Sequence, residues 1–447
     1  MKKVITYGTY DLFHDGHRRL LQRAKSLGDY LIVGVTTEAY DETRGKLNVR
    51  QSLIERIKQV QESGIADEII IEEYDGQKIN DIQKYKIDIF AIGSDWLGKF
   101  DYLNDFCSVV YLERTKGVSS TELRNAEGLL KIGIIGTGRI AKRFVPEARF
   151  VSGIDIIGAY SRNKTKLQEF VDSFELSLAA ENYEQLLDRV NAVYIATPHP
   201  THKALALEAI RKGKHVLCEK PITLNDDCFS ELIQEAKKHN VVLLEAIKTA
   251  FCPAFARLIA YAKSGIIGEI KAVDASFTKL TSGNLRELKK EQGGGSFYEL
   301  GSYPLLAIIK LLGKEYNDIH TIQYKPKGSE VDLYTRVDII YPHAIGSART
   351  GLGVKSEGDL IISGTEGYIY VPAPWWKTEY FEVRFEDTNK NRKFFYKFDG
   401  DGLRYELAHF CDMIRNKNMQ TYLLTTDESK WISTVMAKAQ TNKKLIK

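Results

Sequence analysis

The sequence predicts an α/β protein: a Rossmann-like unit, a second Rossmann unit, then an α+β domain with a mostly antiparallel sheet. Strand-like and helix-like segments alternate twice in succession, over residues 1–125 and again from residue 131. That rhythm is the signature of a parallel sheet covered on both faces. The first strand of each series runs into a turn containing glycine, at Gly8 and at Gly136. From residue 270 onward the alternation gives way to strand after strand.

In the first series, residues 3–7 form a short apolar strand. A helix over 18–27 carries Leu20, Leu21, Ala24 and Leu27 at helical spacing, with Gly28 as its stop. Residues 30–36 (YLIVGVT) read as a buried strand, 51–61 as a helix, and 69–71, 87–92 and 109–112 as further strands. The second series places strands at 131–135, 155–160, 192–196, 215–218 and 241–244. The last region has strands at 270–279, 321–324, 331–341, 345–351, 358–363, 367–371, 380–384 and 392–397, closed by helices at 403–414 and 426–441. The expected domains are 1–128, 129–250 and 251–447, with the last helices free to return to the second.

Composition excludes several classes. A net charge of +4 over 447 residues supplies no basic tract, so nucleic acid is not an expected partner. The start, Met1-Lys2-Lys3-Val4, lacks the apolar core of a signal peptide, and no run approaches the ~20 apolar residues of a membrane span. Five scattered cysteines (Cys107, Cys218, Cys228, Cys252, Cys411) suit neither a disulfide framework nor a zinc site. His199 and His202 lie three apart but find no third ligand, so no metal site is expected. The expectation is a cytoplasmic protein with reduced thiols and no membrane insertion.

The first motif is Gly8-Thr9-Tyr10-Asp11-Leu12-Phe13-His14-Asp15-Gly16-His17. His14 and His17 stand at the start of a helix, where the dipole and free backbone N–H groups favour anions. Two imidazoles so placed suit a phosphoryl displacement, in which charge accumulates on phosphate oxygens. With Arg56, the run Ile92–Phe100 as numbered 92–100 (IGSDWLGKF) and 111–121 (YLERTKGVSST), this string resembles the cytidylyltransferase family, glycerol-3-phosphate cytidylyltransferases above all. The resemblance covers residues 1 to about 125 and implies a Rossmann-like nucleotidyltransferase domain using CTP, with Mg²⁺, and a small polyol phosphate. It implies that His14 and His17 contact the β- and γ-phosphates and that Gly8, Thr9, Tyr10 and Asp11 shape the phosphate pocket. Lys46 would neutralise the α-phosphate or the acceptor phosphate. Asp95 and Trp96 would lie near cytidine, Arg56 near the acceptor, and Arg114 with Ser119, Ser120 and Thr121 would close over the triphosphate. Ser119 and Glu122 also fit a helix capping box.

The second motif, Gly136-Thr137-Gly138-Arg139-Ile140-Ala141, follows a strand and opens a helix, the context a dinucleotide fingerprint requires. Gly136 makes the tight turn and Gly138 clears room for a pyrophosphate. Where an acid would take the ribose 2′-hydroxyl stand Ser161 and Arg162, which suits NADP; Arg162 facing solvent, with NAD bound, stays open. Further along come Thr197-Pro198 with His202, then Cys218-Glu219-Lys220-Pro221, Glu245-Ala246 and 293–304 (GGGSFYELGSYP). Together these resemble the glucose-fructose oxidoreductase and inositol dehydrogenase family, from Lys131 to near the C-terminus. The resemblance implies that Lys220 sits beside nicotinamide and substrate, that Tyr303 is the proton donor and acceptor, and that Glu219 and His202 line the cofactor site. Glu299 stands at a substrate-binding position. A phenol next to the Lys220 cation is expected to have a lowered pKa. The aromatic run 372–380 (PAPWWKTEY) reads as a packed loop or dimer contact.

Taken together, the resemblances imply a bifunctional enzyme. NAD(P)H would reduce a sugar derivative to an alditol phosphate, and CTP would convert that to a CDP-alditol for teichoic-acid-like or capsular polymers. The alternative is a cytidylyltransferase carrying a non-catalytic cofactor-binding or dimerisation module. Both families commonly self-associate, which implies a homo-oligomer.

Overall fold

The computed structural model describes residues 1–113, 129–224, 226–283 and 285–446. Arg114, Ser119, Ser120, Thr121 and the capping box therefore lie outside the described residues. By contacts the chain divides into two compact units. The first comprises Met1–Lys131, Ala148–Gly158 and Asn163–Ala179; the second comprises Ile132–Glu147, Ala159–Arg162 and Ala180–Lys447.

Strands β1 (Lys3–Gly8), β2 (Tyr30–Thr36), β3 (Glu68–Glu72), β4 (Ile89–Gly93) and β5 (Ser108–Leu112) form a sheet of order β3-β2-β1-β4-β5. All its pairings are parallel. Side-chain alternation splits its core into two layers. Val4, Leu31, Val33 and Val35 pack on one face, Ile5, Ile32 and Phe90 on the other. Both faces must be apolar because helices cover both. Helix Asp15–Lys25 starts earlier than its apolar spacing suggests, because the His14 side chain caps it by accepting from the Gly16 N–H. Helix Leu53–Glu62 starts later than expected, at a capping box between Ser52 and Glu55.

Strands β6 (Leu130–Ile135), β7 (Ile154–Tyr160), β8 (Leu178–Ala179), β9 (Ala192–Ile195), β10 (His215–Glu219) and β11 (Leu243–Ala246) form the second sheet, of order β11-β10-β9-β6-β7-β8. β6 pairs with β9, β9 with β10, and β10 with β11, all parallel.

The third sheet has nine strands: β12 (Ile270–Thr278), β13 (Asp318–Tyr324), β14 (Tyr334–Ile340), β15 (Ile345–Gly351), β16 (Leu360–Gly364), β17 (Tyr368–Val371), β18 (Tyr380–Arg384), β19 (Arg392–Phe395) and β20 (Lys443–Ile446). Its order is β19-β18-β17-β16-β12-β15-β14-β13-β20. Only β12–β15 and β13–β20 pair in parallel; the other ladders are antiparallel, as expected. Helix Ser302–Leu312 is buried almost all round and packs on β12 and β15. That sandwiched position explains why its apolar pattern is not one-sided. Of the closing helices, Leu403–Arg415 packs on β10 and Thr426–Thr441 on helix Asp226–Lys238.

Candidate active sites

In the first unit, β1 delivers the chain into a turn in which Tyr10 (φ 53°) and Leu12 (φ 48°) are both left-handed. Such backbone is costly for residues with side chains and persists where the surroundings enforce it. Between them the Asp11 carboxylate accepts the Arg50 N–H at 3.1 Å and the Gln51 N–H at 3.0 Å, anchoring the turn. The turn ends at His14, whose ring stacks on His17 with centroids 3.9 Å apart. Tyr10 meets the His17 ring edge-on at 5.5 Å. The buried His17 Nδ1 finds no hydrogen-bond partner among the described residues. Burial first, then His14 and Lys46, hold His17 well below the usual histidine range. A helix N-terminus beside two imidazoles and a lysine can receive an anion, and a bound phosphate would offset the cationic crowding at His17.

Half-buried Lys46 donates to the Arg149 carbonyl at 2.8 Å, and burial pushes its ammonium down to about 8. Asp95 and Trp96 occupy the short turn Ser94–Trp96 after β4. The Asp95 carboxylate pairs with the Arg149 guanidinium at 2.7 Å, and Trp96 packs on Phe100. Thr9 donates to Asp41 at 2.9 Å. Sequence reasoning missed Asp41: it is fully buried and also takes bonds from Thr36 at 2.7 Å and Arg44 at 2.6 Å. No signal marked it, since its partners come from separate segments. Arg56, expected near the acceptor, is fully buried. Its guanidinium donates to the carbonyls of Gln51 (3.0 Å), Thr9 (2.8 Å) and Thr36 (2.8 Å), so it braces the ends of β1 and β2 rather than facing open space.

In the second unit, Gly136 (φ 97°) donates its N–H to the Tyr160 carbonyl at 2.9 Å. A Cβ there would stand 2.5 Å from the Ala196 carbonyl oxygen, whereas one at Gly138 would meet nothing within 4 Å. Glycine is thus required at the turn, and the open side of Gly138 leaves room for a pyrophosphate at the helix start. Arg139 pairs with Glu287, Ile140 and Ser161 are half-buried, and Arg162 is exposed. These residues fit a dinucleotide.

Thr197 and Pro198 follow β9, and the Thr197 hydroxyl accepts from Thr201 at 2.7 Å. Buried His202 lies between two backbone carbonyls, Thr197 O at 2.8 Å and Pro221 O at 2.9 Å. Two acceptors favour a doubly protonated ring, but burial outweighs them and holds it down to about 4. The neutral ring serves one carbonyl as donor and stands against the other. His202 thereby ties the loop after β9 to the Lys220-Pro221 turn.

At the end of β10, Glu219 accepts from the buried Tyr194 hydroxyl at 2.6 Å. Lys220 donates to the Glu299 carbonyl at 2.7 Å, and its ammonium stands 5.6 Å from the Tyr303 ring centroid. Tyr303 is 9% exposed. The Glu299 carboxylate is forked by Arg286 at 2.8 and 3.1 Å and lies 3.7 Å from His199. The expectation of a lowered Tyr303 pKa is overturned. Burial, then Glu219, Glu406, Cys252 and Glu299, push the phenol well above its ordinary range. The Lys220 cation is outweighed because acids surround the ring from several elements. Glu406 is the residue that sequence reasoning missed. It is fully buried on helix Leu403–Arg415, and neither carboxyl oxygen finds a hydrogen-bond partner among the described residues. Burial, then Glu219, push its carboxyl well above the usual carboxylate range.

The aromatic run packs as a loop. Trp375 is fully buried and donates to the Ser276 carbonyl at 2.8 Å, while Trp376 stacks on Phe277 at 3.5 Å. Phe277 in turn lies 5.2 Å from Tyr303, so this loop backs the wall beside the phenol. Among the described residues no three His, Cys, Asp or Glu are grouped to hold a metal ion. No described helix is long and apolar enough to cross a membrane.

A phosphate-ready helix start in one unit, and a dinucleotide turn leading to a lysine and a tyrosine in the other, define a nucleotidyltransferase joined to an NAD(P)-dependent oxidoreductase. The cytidylyltransferase-like family matches residues 5–126. The oxidoreductase family with an NAD-binding Rossmann fold (GFO/IDH/MocA) matches 130–246, and its C-terminal domain matches 255–370. The chain belongs to both families: cytidylyltransferase-like in its N-terminal part and GFO/IDH/MocA oxidoreductase beyond it. Over 124 residues it is 51% identical to glycerol-3-phosphate cytidylyltransferase of Bacillus spizizenii, spanning 28% of this chain and 95% of that protein. Over 318 residues it is 27% identical to trans-1,2-dihydrobenzene-1,2-diol dehydrogenase of Sus scrofa, spanning 69% of this chain and 95% of that protein. Its fold is similar to that of a 3-ketoreductase from Actinomadura kijaniata solved with NADP and TDP-benzene (TM-score 0.65, 21% identity, 71% of this chain and 99% of that one).

Proposed function

We propose that the chain makes a CDP-activated polyol in two steps. The oxidoreductase reduces a keto or aldehydo sugar phosphate to an alditol phosphate, and the cytidylyltransferase couples that product to CTP. The observation that carries this reading is the presence, on one chain, of a cytidylyltransferase 51% identical to one named for glycerol 3-phosphate and an oxidoreductase of an NAD-binding family. Glycerol phosphate is the first acceptor to test, and teichoic-acid-like or capsular polymers are the products it would feed.

In the reduction, a bound nicotinamide supplies the hydride. Tyr303 stays protonated among its acidic neighbours and gives its proton to the carbonyl oxygen. Lys220, beside that ring, stabilises the developing alkoxide. Ser161 and Arg162 favour NADP over NAD. In the transfer, a phosphate oxygen of the acceptor attacks the α-phosphorus of CTP, whose triphosphate Mg²⁺ would help neutralise. The bond from that phosphorus to the bridging oxygen breaks, and pyrophosphate leaves. His14 and His17 stabilise the charge on the departing phosphates, Lys46 the phosphate under attack, and Arg114 with Ser119, Ser120 and Thr121 completes the pocket. The functional regions follow the boundaries 1–128, 129–250 and 251–447, and the protein works as a homo-oligomer.

Mass spectrometry of the products formed with CTP, NADPH and a panel of triose and pentose phosphates tests this. A CDP-alditol whose formation requires NADPH is expected. If CDP-glycerol forms only from added glycerol 3-phosphate, and no coenzyme is oxidised with any panel member, the second half is a binding module and the two-step reading fails.

A further inference from the structure

One segment of the first unit comes from outside the cytidylyltransferase match. Ala148–Gly158 lies within the residues matched by the oxidoreductase family, yet it belongs by contacts to the unit that holds His14, His17, Lys46 and Asp95. Its contacts with that unit are specific. The Leu47 N–H donates to the Phe150 carbonyl at 2.7 Å, and the Ser152 N–H donates back to the Leu47 carbonyl at 2.8 Å. Leu47 and Val151 thereby form an isolated parallel bridge, which fixes the register of the residue directly after Lys46.

The side chains then reach the proposed nucleotide-binding residues. The Lys46 ammonium donates to the Arg149 carbonyl at 2.8 Å. The Arg149 guanidinium pairs with Asp95 at 2.7 Å. The Phe150 ring meets Trp96 edge-on at 5.9 Å, and the Lys99 ammonium stands 4.9 Å from the Trp96 ring and 5.8 Å from the Phe150 ring. Three residues that the cytidylyltransferase resemblance assigns to phosphate and cytidine are thus each held by Arg149 or Phe150. The cytidylyltransferase-like family match ends at residue 126, before Arg149 in sequence.

We propose that Arg149 and Phe150 are positioning residues of the cytidylyl-transfer site, so that this transferase depends on a segment lying beyond its own family match. The proposal rests on the reading of Lys46, Asp95 and Trp96 as that site. Arg149 sets the direction of the Asp95 carboxylate and, through its carbonyl, the reach of Lys46. Phe150 walls Trp96. An ammonium held in this way is aimed before substrate arrives, which lowers the ordering cost of binding an anionic acceptor.

The test uses the full-length protein. Pyrophosphate release is measured with CTP and glycerol 3-phosphate for the wild type, Arg149→Ala, Arg149→Lys and Phe150→Ala, alongside NADPH binding followed by its fluorescence. Arg149→Ala and Phe150→Ala should raise KM for CTP or acceptor about tenfold, more than they change kcat, while NADPH binding is kept. Arg149→Lys should recover part of the Arg149→Ala loss. A pH profile adds a readout that packing alone would not move. Lys46 is faced by Asp11, Asp41, Arg44 and Asp95, with His17 nearby, and burial is what depresses it. Opening its cover restores water, so the alkaline limb of the transfer should move to higher pH in Arg149→Ala. Unchanged KM values and an unmoved limb overturn the proposal, as does a joint loss of transfer and NADPH binding, which would make Arg149 a packing residue only. If the wild type releases no pyrophosphate from CTP with any polyol phosphate, the underlying reading has failed instead.

Discussion

The two candidate sites solve opposite electrostatic problems. At His17 and Lys46 the groups are bases, and burial pulls both down; His14 and Lys46 add to it at His17, whereas Asp41, Asp11 and Asp95 oppose it at Lys46. At Tyr303, Glu219 and Glu406 the groups are acids, and burial pushes all three up; acidic neighbours add to it at Tyr303 and Glu406, whereas Lys220 opposes it at Glu219. The first arrangement waits for a polyanion to complete it. The second keeps a phenol and carboxyls in a closed place where burial disfavours their charged forms. Phosphoryl transfer needs positive charge where negative charge gathers, whereas carbonyl reduction needs a proton that solvent cannot supply at random.

The contrast can be broken most sharply at His17. His17→Ala should reduce pyrophosphate release by about 10³-fold or more while coenzyme oxidation continues, because an aligned donor to the departing phosphates is lost. A fall below tenfold would mean the stacked imidazoles are not the phosphate donors. Tyr303→Phe should reduce carbonyl reduction by about 10²–10³-fold with coenzyme affinity kept, measured by NADPH turnover and by fluorescence titration. Retained turnover would move the proton donor elsewhere among the acids. Arg56→Ala separates bracing from binding: three carbonyls lose their donor, so chemical denaturation should show a loss of about 3–4 kcal/mol. An unchanged midpoint with a raised acceptor KM would return Arg56 to substrate binding.

The smallest effect concerns Glu245, which burial raises to about 7 from 4.5. The folded chain keeps that proton to about pH 7 while the unfolded chain releases it near 4.5, so its contribution is present below 4.5 and is lost as pH rises through 7. At about 1.4 kcal/mol per unit the loss is at most about 3.5 kcal/mol. Glu245→Gln should melt higher than the wild type at pH 8, the gap closing below pH 4.5. A gap independent of pH would show that Glu245 does not titrate in this window.

Much of the fold was legible because local pattern and tertiary role agree. β2, β15, β18 and helix Thr426–Thr441 match their expected bounds, each being a clean run with clear stops. β20 was not anticipated: Lys443–Ile446 is short and exposed, and only its pairing with β13 makes it a strand. In the sites, motifs named the candidate residues, but the groups buried around them could not be read. Tyr303 and Lys220 are visible as a pair, whereas Glu406 lies more than a hundred residues beyond Tyr303 in a helix whose sequence (LRYELAHFCDMIR) looks merely amphipathic. Arg56 sits in a family motif, and nothing local says that its guanidinium turns inward.

The imidazole of His202 has a practical consequence. Since one ring spans the Thr197 and Pro221 carbonyls, the loop expected to meet the coenzyme and the turn that presents Lys220 cannot be redesigned separately. An effort to exchange coenzyme preference is better directed at Ser161 and Arg162. A change near Thr197, however conservative, would be felt as a displaced lysine and read out as slower chemistry rather than as weaker coenzyme binding.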